Sequence, residues 1–155
     1  MPFRSLISSL AILLAGCATT PPPAGNAPAA VKPGEMILVR ETAKTPDQAI
    51  EAIKTYTEGK KWVYMGVNRV KPPQGEVAFV KVCIPAVGAI MWPLGLEVSA
   101  LLPCGNLGVY QKNGRTEVSM LHPRYISMLY PHPEATRASE LATAQLTEML
   151  ETVVK

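Results

Sequence analysis

Charge is scarce in this chain of 155 residues: only 17% are Asp, Glu, Lys or Arg, against 48% hydrophobic. Fifteen basic and twelve acidic residues leave a formal charge of +3. No Lys/Arg cluster stands out, so the electrostatic footprint of a nucleic-acid binder is missing. Catalytic signatures are missing too. There is no Walker loop, Rossmann fingerprint, H-E-x-x-H or EF-hand loop. Ser99 and Ser119 lack a G-x-S-x-G setting, and Glu97 and Glu117 stand too far apart to suggest an acid–base pair. A non-enzymatic role is therefore expected, and no cofactor is required. Histidine occurs twice and cysteine three times, with no C-x-x-C pair of thioredoxin type. No apolar run reaches the roughly 20 residues that a membrane-spanning helix needs.

What is present begins at the N-terminus. Arg4 precedes an apolar run from Leu6 to Ala15, broken by Ser8 and Ser9. Its length of about ten residues suits a secretory signal. The run closes on Leu14-Ala15-Gly16-Cys17, which resembles the bacterial lipobox. The resemblance implies cleavage before Cys17 and a diacylglycerol on its thiol. Two or more acyl chains hold a protein stably, at roughly 0.8 kcal/mol per buried CH₂. Ala18, rather than Asp, follows the cysteine and favours the outer membrane over the inner. The expected place is thus the cell envelope, facing the periplasm. Residues 18–34 hold Pro21, Pro22, Pro23, Pro28 and Pro33 among small residues, the composition of an extended tether. At about 3.1 Å per residue it would reach roughly 50 Å. Three units are expected: a signal over 1–16, a lipidated tether over 17–34, and one domain over 35–155.

Within that domain, Met36–Glu41 reads as a strand. Thr45-Pro46-Asp47-Gln48 is a capping box with proline at the first helical position, and Ala49, Ile50, Ile53 and Tyr56 follow at helical spacing. Gly59 marks a stop. Trp62–Val70 and Glu76–Ile84 are strands separated by the Pro72–Gly75 turn. In the second of these, Ala78, Val80, Val82 and Ile84 share one face, with Val77, Phe79, Lys81 and Cys83 on the other. Pro85–Leu94 predicts a short apolar helix, either a dimer patch, a membrane-facing surface, or a segment buried beneath the last helix. Glu97–Leu102 is expected to be extended or irregular. Leu107–Gln111 and Thr116–Leu121 are strands joined at Asn113-Gly114, a strong type I′ hairpin signal. Tyr125–Tyr130 suggests one helical turn, and Glu134–Val154 an amphipathic helix. The order β-α-β-β-α-β-β-α predicts an α+β fold, a mostly antiparallel sheet with two long helices packed on it.

Several of these segments carry a family resemblance. Val82-Cys83-Ile84-Pro85, Leu101-Leu102-Pro103-Cys104, the strand and turn Val109–Gly114, and Val118-Ser119 together resemble domain of unknown function 302. The likeness runs from about Glu35 to Val154. It implies a compact α+β domain that can pair as a homodimer, and it implies no reaction. The family often has an arginine after the second cysteine, where this chain has Gly105-Asn106.

Cys83 and Cys104 are the thiols left once the signal is removed. In an oxidising compartment they can form a disulfide, pack unpaired as small hydrophobes, or act as a redox pair. Cys104, in a Pro-Cys-Gly turn, is the better reactive thiol. His122 and His132 lie in rigid proline turns. They can be solvated turn residues; alternatively one or both, His122 first, join Cys104, Met120 or Met128 around copper or haem iron, since soft sulfur with imidazole suits copper. Tyr125 and Tyr130 can line a pocket or simply cover the sheet, and Trp62 and Trp92 are core or rim aromatics. Two functions are open: a lipid-anchored module that binds a small ligand or a protein, and a thiol-redox or metal protein built on Cys104, Cys83 and His122.

Overall fold

A computed structural model describes residues 36–102 and 106–155. Five strands, β1 (Ile37–Thr42), β2 (Val63–Val70), β3 (Val77–Cys83), β4 (Asn106–Lys112) and β5 (Arg115–Leu121), form one sheet in the order β1-β5-β4-β3-β2. Every neighbouring pair is antiparallel. Helices α1 (Pro46–Gly59), α2 (Pro85–Met91), α3 (Tyr125–Leu129) and α4 (Pro133–Val153) complete an α+β domain.

The expected local signals operate. The Thr45 hydroxyl accepts from the Gln48 N–H at 3.3 Å, and the Gln48 side chain accepts from the Thr45 N–H at 2.8 Å. These bonds satisfy N–H groups that have no partner inside the helix. Asn113 (φ 50°) and Gly114 (φ 76°) both adopt positive φ between β4 and β5, which closes the hairpin in the twist its strands require. One expectation fails. Leu96–Leu101 is a 3₁₀ helix rather than an extended stretch. Val98 is its one buried apolar side chain, too sparse a pattern to show a period in the sequence.

Strand alternation divides the sheet into two faces. Ala78, Val80 and Val82 of β3, Leu107 and Val109 of β4, and Val118 and Met120 of β5 are buried in one core. Ile50 and Ile53 of α1 and Leu146, Met149 and Leu150 of α4 are buried in the same core. Each Val, Leu, Ile or Met side chain among them contributes roughly 1.5–3 kcal/mol on leaving water. The Thr42 hydroxyl donates to the Val154 carbonyl at 2.7 Å, and Arg40 pairs with Glu151 at 2.7 Å, tying edge strand β1 to the end of α4. All the helices that bury apolar surface lie on this side.

The apolar stretch after β3 is partly buried. Val87, Gly88 and Met91 are covered, and α2 packs against α4, while Trp92 stays 45% exposed. Of the three expectations for this stretch, burial beneath the last helix describes its inner side.

Candidate functional site

Among the described residues no helix covers the second face of the sheet, and the register fixes what it displays. One row runs Val39, Ser119, Gly108, Phe79, Asn68 from β1 to β2, and a second runs Glu41, Glu117, Tyr110, Val77, Val70. Ile37 and Leu121 pair at one end. An antiparallel sheet with one face in water normally shows polar residues there. Here Ile37, Val39, Leu121, Val70 and Val63 are each between 37% and 50% exposed. Phe79, Tyr110 and Val77 sit half-buried between them.

At the centre of this face the strand β4 carries glycine. A Cβ on Gly108 would come 2.8 Å from the Ser119 hydroxyl oxygen, so a larger residue there would have to push that side chain aside. The result is a shallow depression of about 330 Å³ with Gly108 and Ser119 in its floor and Ile37, Phe79, Tyr110 and Leu121 around it. Sequence reasoning missed this feature. Its signal was a glycine inside a strand, a position with no side chain to fill the pleat.

Four charges on the face gather at its hairpin end in two pairs, while half-buried Lys81 lies on the same face away from the hairpin, opposite Asn106. Arg115 lies 3.7 Å from Glu41, and Lys112 lies 3.9 Å from the largely buried Glu117. Burial, and then hydrogen bonding with Glu117, raises the pKa of the Tyr110 hydroxyl. It stays a neutral phenol throughout the physiological range.

The other candidate residues fall elsewhere. Cys83, on the open face, is disulfide-bonded. Cys104 and Cys17 lie outside the described residues. Tyr125 donates its hydroxyl to the Leu101 carbonyl at 3.0 Å and is raised in pKa by burial. It packs against the core, as does Tyr130, which tilts over His132. Met120 points into the core, while Met128 is 37% exposed. Among the described residues, no group of three or more His, Cys, Asp or Glu could hold a metal.

His122 borders a shallow cleft of about 450 Å³ with Arg124, Ser127 and Ser139. Its Nδ1 accepts from the Arg124 N–H at 3.1 Å, and burial followed by the Arg124 charge lowers its pKa. The neutral ring is therefore a turn-stabilising acceptor. The Ser127 and Ser139 hydroxyls donate to the Arg124 and Pro123 carbonyls, so their protons serve the main chain. His132 similarly accepts from the Glu134 N–H and caps α4.

Two layers, helices on one face of a five-stranded antiparallel sheet, define the class: a small α+β sandwich with an open sheet face. Residues 69–153, more than half of the chain, match the family described as domain of unknown function DUF302, and the chain belongs to that family. The fold is also similar to a crystal structure of an uncharacterized conserved protein DUF302 from Bacillus stearothermophilus. That similarity has a TM-score of 0.67 at 19% identity and covers 77% of this chain and 98% of that one. No curated protein matches the chain.

Proposed function

We propose that this protein is a lipid-anchored component of the bacterial cell envelope whose domain is a protein-binding module, with the open face of the sheet as its binding surface. The anchor rests on Leu14-Ala15-Gly16-Cys17 and the apolar run before it. A disulfide at Cys83 supports an oxidising compartment, because thiols stay reduced in the cytosol. The observation that carries the binding role is the broad apolar sheet face. Small-molecule sites are concave and enclose most of their ligand. This face is broad and shallow, a shape that suits a protein surface.

Two measurements test the reading. Cys17→Ser is expected to abolish incorporation of labelled fatty acid, and persistent labelling would place the lipid elsewhere. Hydroxyl-radical footprinting then compares the chain in its envelope with dilute purified chain. Ile37, Val39 and Leu121 are expected to be protected in the envelope, with Leu96 and Leu129, 80% and 68% exposed, labelled equally in both. Equal labelling of both sets removes the binding surface.

A further inference from the structure

We infer that the occupant of the open sheet face is a different protein whose apolar surface carries one Asp or Glu carboxylate, and that this carboxylate pairs with Lys81. The inference rests on the reading of this face as the binding surface and names the chemistry of its partner.

The first argument is a charge without a match. Glu41 and Glu117 face Arg115 and Lys112 at the hairpin end. Lys81 has no such counterion among the described residues. It alternates along β3 with Phe79 and Cys83 on the open face. Its register partner on β2 is Gly66, where a Cβ would meet nothing within 4 Å. No side chain of β2 therefore fills the position paired with Lys81. In the free chain a half-buried lysine lays its alkyl stem on apolar surface and keeps its ammonium in water.

The second argument is the cost of covering it. A partner laid over Val39, Phe79 and Val63 removes that water, and an ammonium buried without an anion is strongly penalised. A wholly apolar partner is rejected at Lys81. A strongly acidic one finds a single cation to meet, since the hairpin end is already paired. One carboxylate in an otherwise apolar surface satisfies both conditions, and a charge pair at that point fixes the register of docking. A second copy of this chain fits poorly, because it brings another lone Lys81 while its Glu41 and Glu117 are already engaged.

The third argument is shape. The depression of about 330 Å³ is shallow, whereas a small amphiphile needs a site that encloses most of its surface. Five strands about 4.8 Å apart, each about seven residues long at about 3.3 Å per residue, present roughly 550 Å² in projection. Counted on both partners that is about 1,100 Å², above the ~1,000 Å² floor of a specific protein interface.

The test treats the full chain in isolated envelopes with a carbodiimide, which joins a lysine amine to a touching carboxylate as an amide with loss of water. The expected result is a link from Lys81 to an Asp or Glu of another protein, mapped by mass spectrometry. A photo-crosslinking amino acid in place of Val39 is expected to capture the same protein. Lys81→Arg is expected to lose the carbodiimide link, since a guanidinium does not form the amide, and to keep the photo-adduct. Lys81→Glu is expected to leave the thermal melt unaltered and to cut the photo-adduct at least about tenfold, the equivalent of about 1.4 kcal/mol. A photo-adduct indifferent to Lys81→Glu, or one without a carbodiimide link at Lys81, overturns the carboxylate partner while leaving the binding surface in place. An adduct of twice the chain mass, or of a lipid's mass, overturns the different protein as occupant in the same way. No photo-adduct from position 39, or an equal one from Leu129 on the helical side, overturns both.

Discussion

The two faces of one sheet obey opposite rules, although the same five strands supply both. On the helical face, the β-sheet side chains are aliphatic, buried and interlocked with α1 and α4. On the open face, apolar side chains of similar size remain between 37% and 50% exposed at Ile37, Val39 and Leu121. Stability selects the first pattern, since closely packed groups each add dispersion and burial energy. The second contributes little to the single chain, and an apolar surface of this extent marks an interaction site. A residue's worth to the fold therefore depends on which way its strand turns it.

The largest expected effect comes from making one change on both faces. Ile53→Ala, at a fully buried position, is expected to lower unfolding free energy by about 3 kcal/mol. Ile37→Ala, 50% exposed, is expected to cost less than about 1 kcal/mol. Denaturant titration of the two variants checks this. A similar loss at both positions would erase the distinction between the faces.

Next is the cross-link at Cys83, which joins the open face to another segment. With Cys104 as the proposed partner of Cys83, the closed loop is about twenty residues, and Cys83→Ala is expected to cost about 3 kcal/mol or somewhat less. Alkylation before and after reduction counts the thiols. A thiol that reacts without reductant in the processed wild-type chain would contradict the pairing. Unchanged stability in Cys83→Ala would leave the bond to a redox role.

The smallest effect concerns His122, away from both faces. Its folded pKa lies below the ordinary value, so the unfolded chain binds a proton more readily in the window beneath about 6.5. Stability is expected to be fully present above that window and to fall as pH drops through it. His122→Asn is expected to flatten that part of a pH–stability curve. A variant as pH-sensitive as the wild type would assign the slope to other groups.

Much of this architecture was legible from local chemistry. The alternation Val77 to Cys83 separated the two faces, Asn113-Gly114 placed the hairpin, and the Thr45–Gln48 box placed the start of α1. These signals lie within a few residues of the structure they cause. The neighbourhood of β1 was not legible, because its partner β5 is far away in sequence and the pairing depends on the whole sheet. The amphipathic pattern of α4 indicated an apolar side without saying which face of the sheet it would leave bare. The open apolar face was missed for that reason: Gly108 becomes informative only when Ser119 and Phe79 are set beside it. Sequence order separates those three positions, and register unites them.

The bulge between Tyr64 and Gly66 has a consequence for how the protein avoids growing into fibres. β2 is an outer strand with Val63, Met65, Val67 and Val70 exposed, a ready template for adding strands end on end. The bulge bends that rim out of line, and Arg69, held by Asp47 and Glu76, sets a solvated charge cluster along it. A bent, charged rim resists the open-ended polymerisation that a flat one invites.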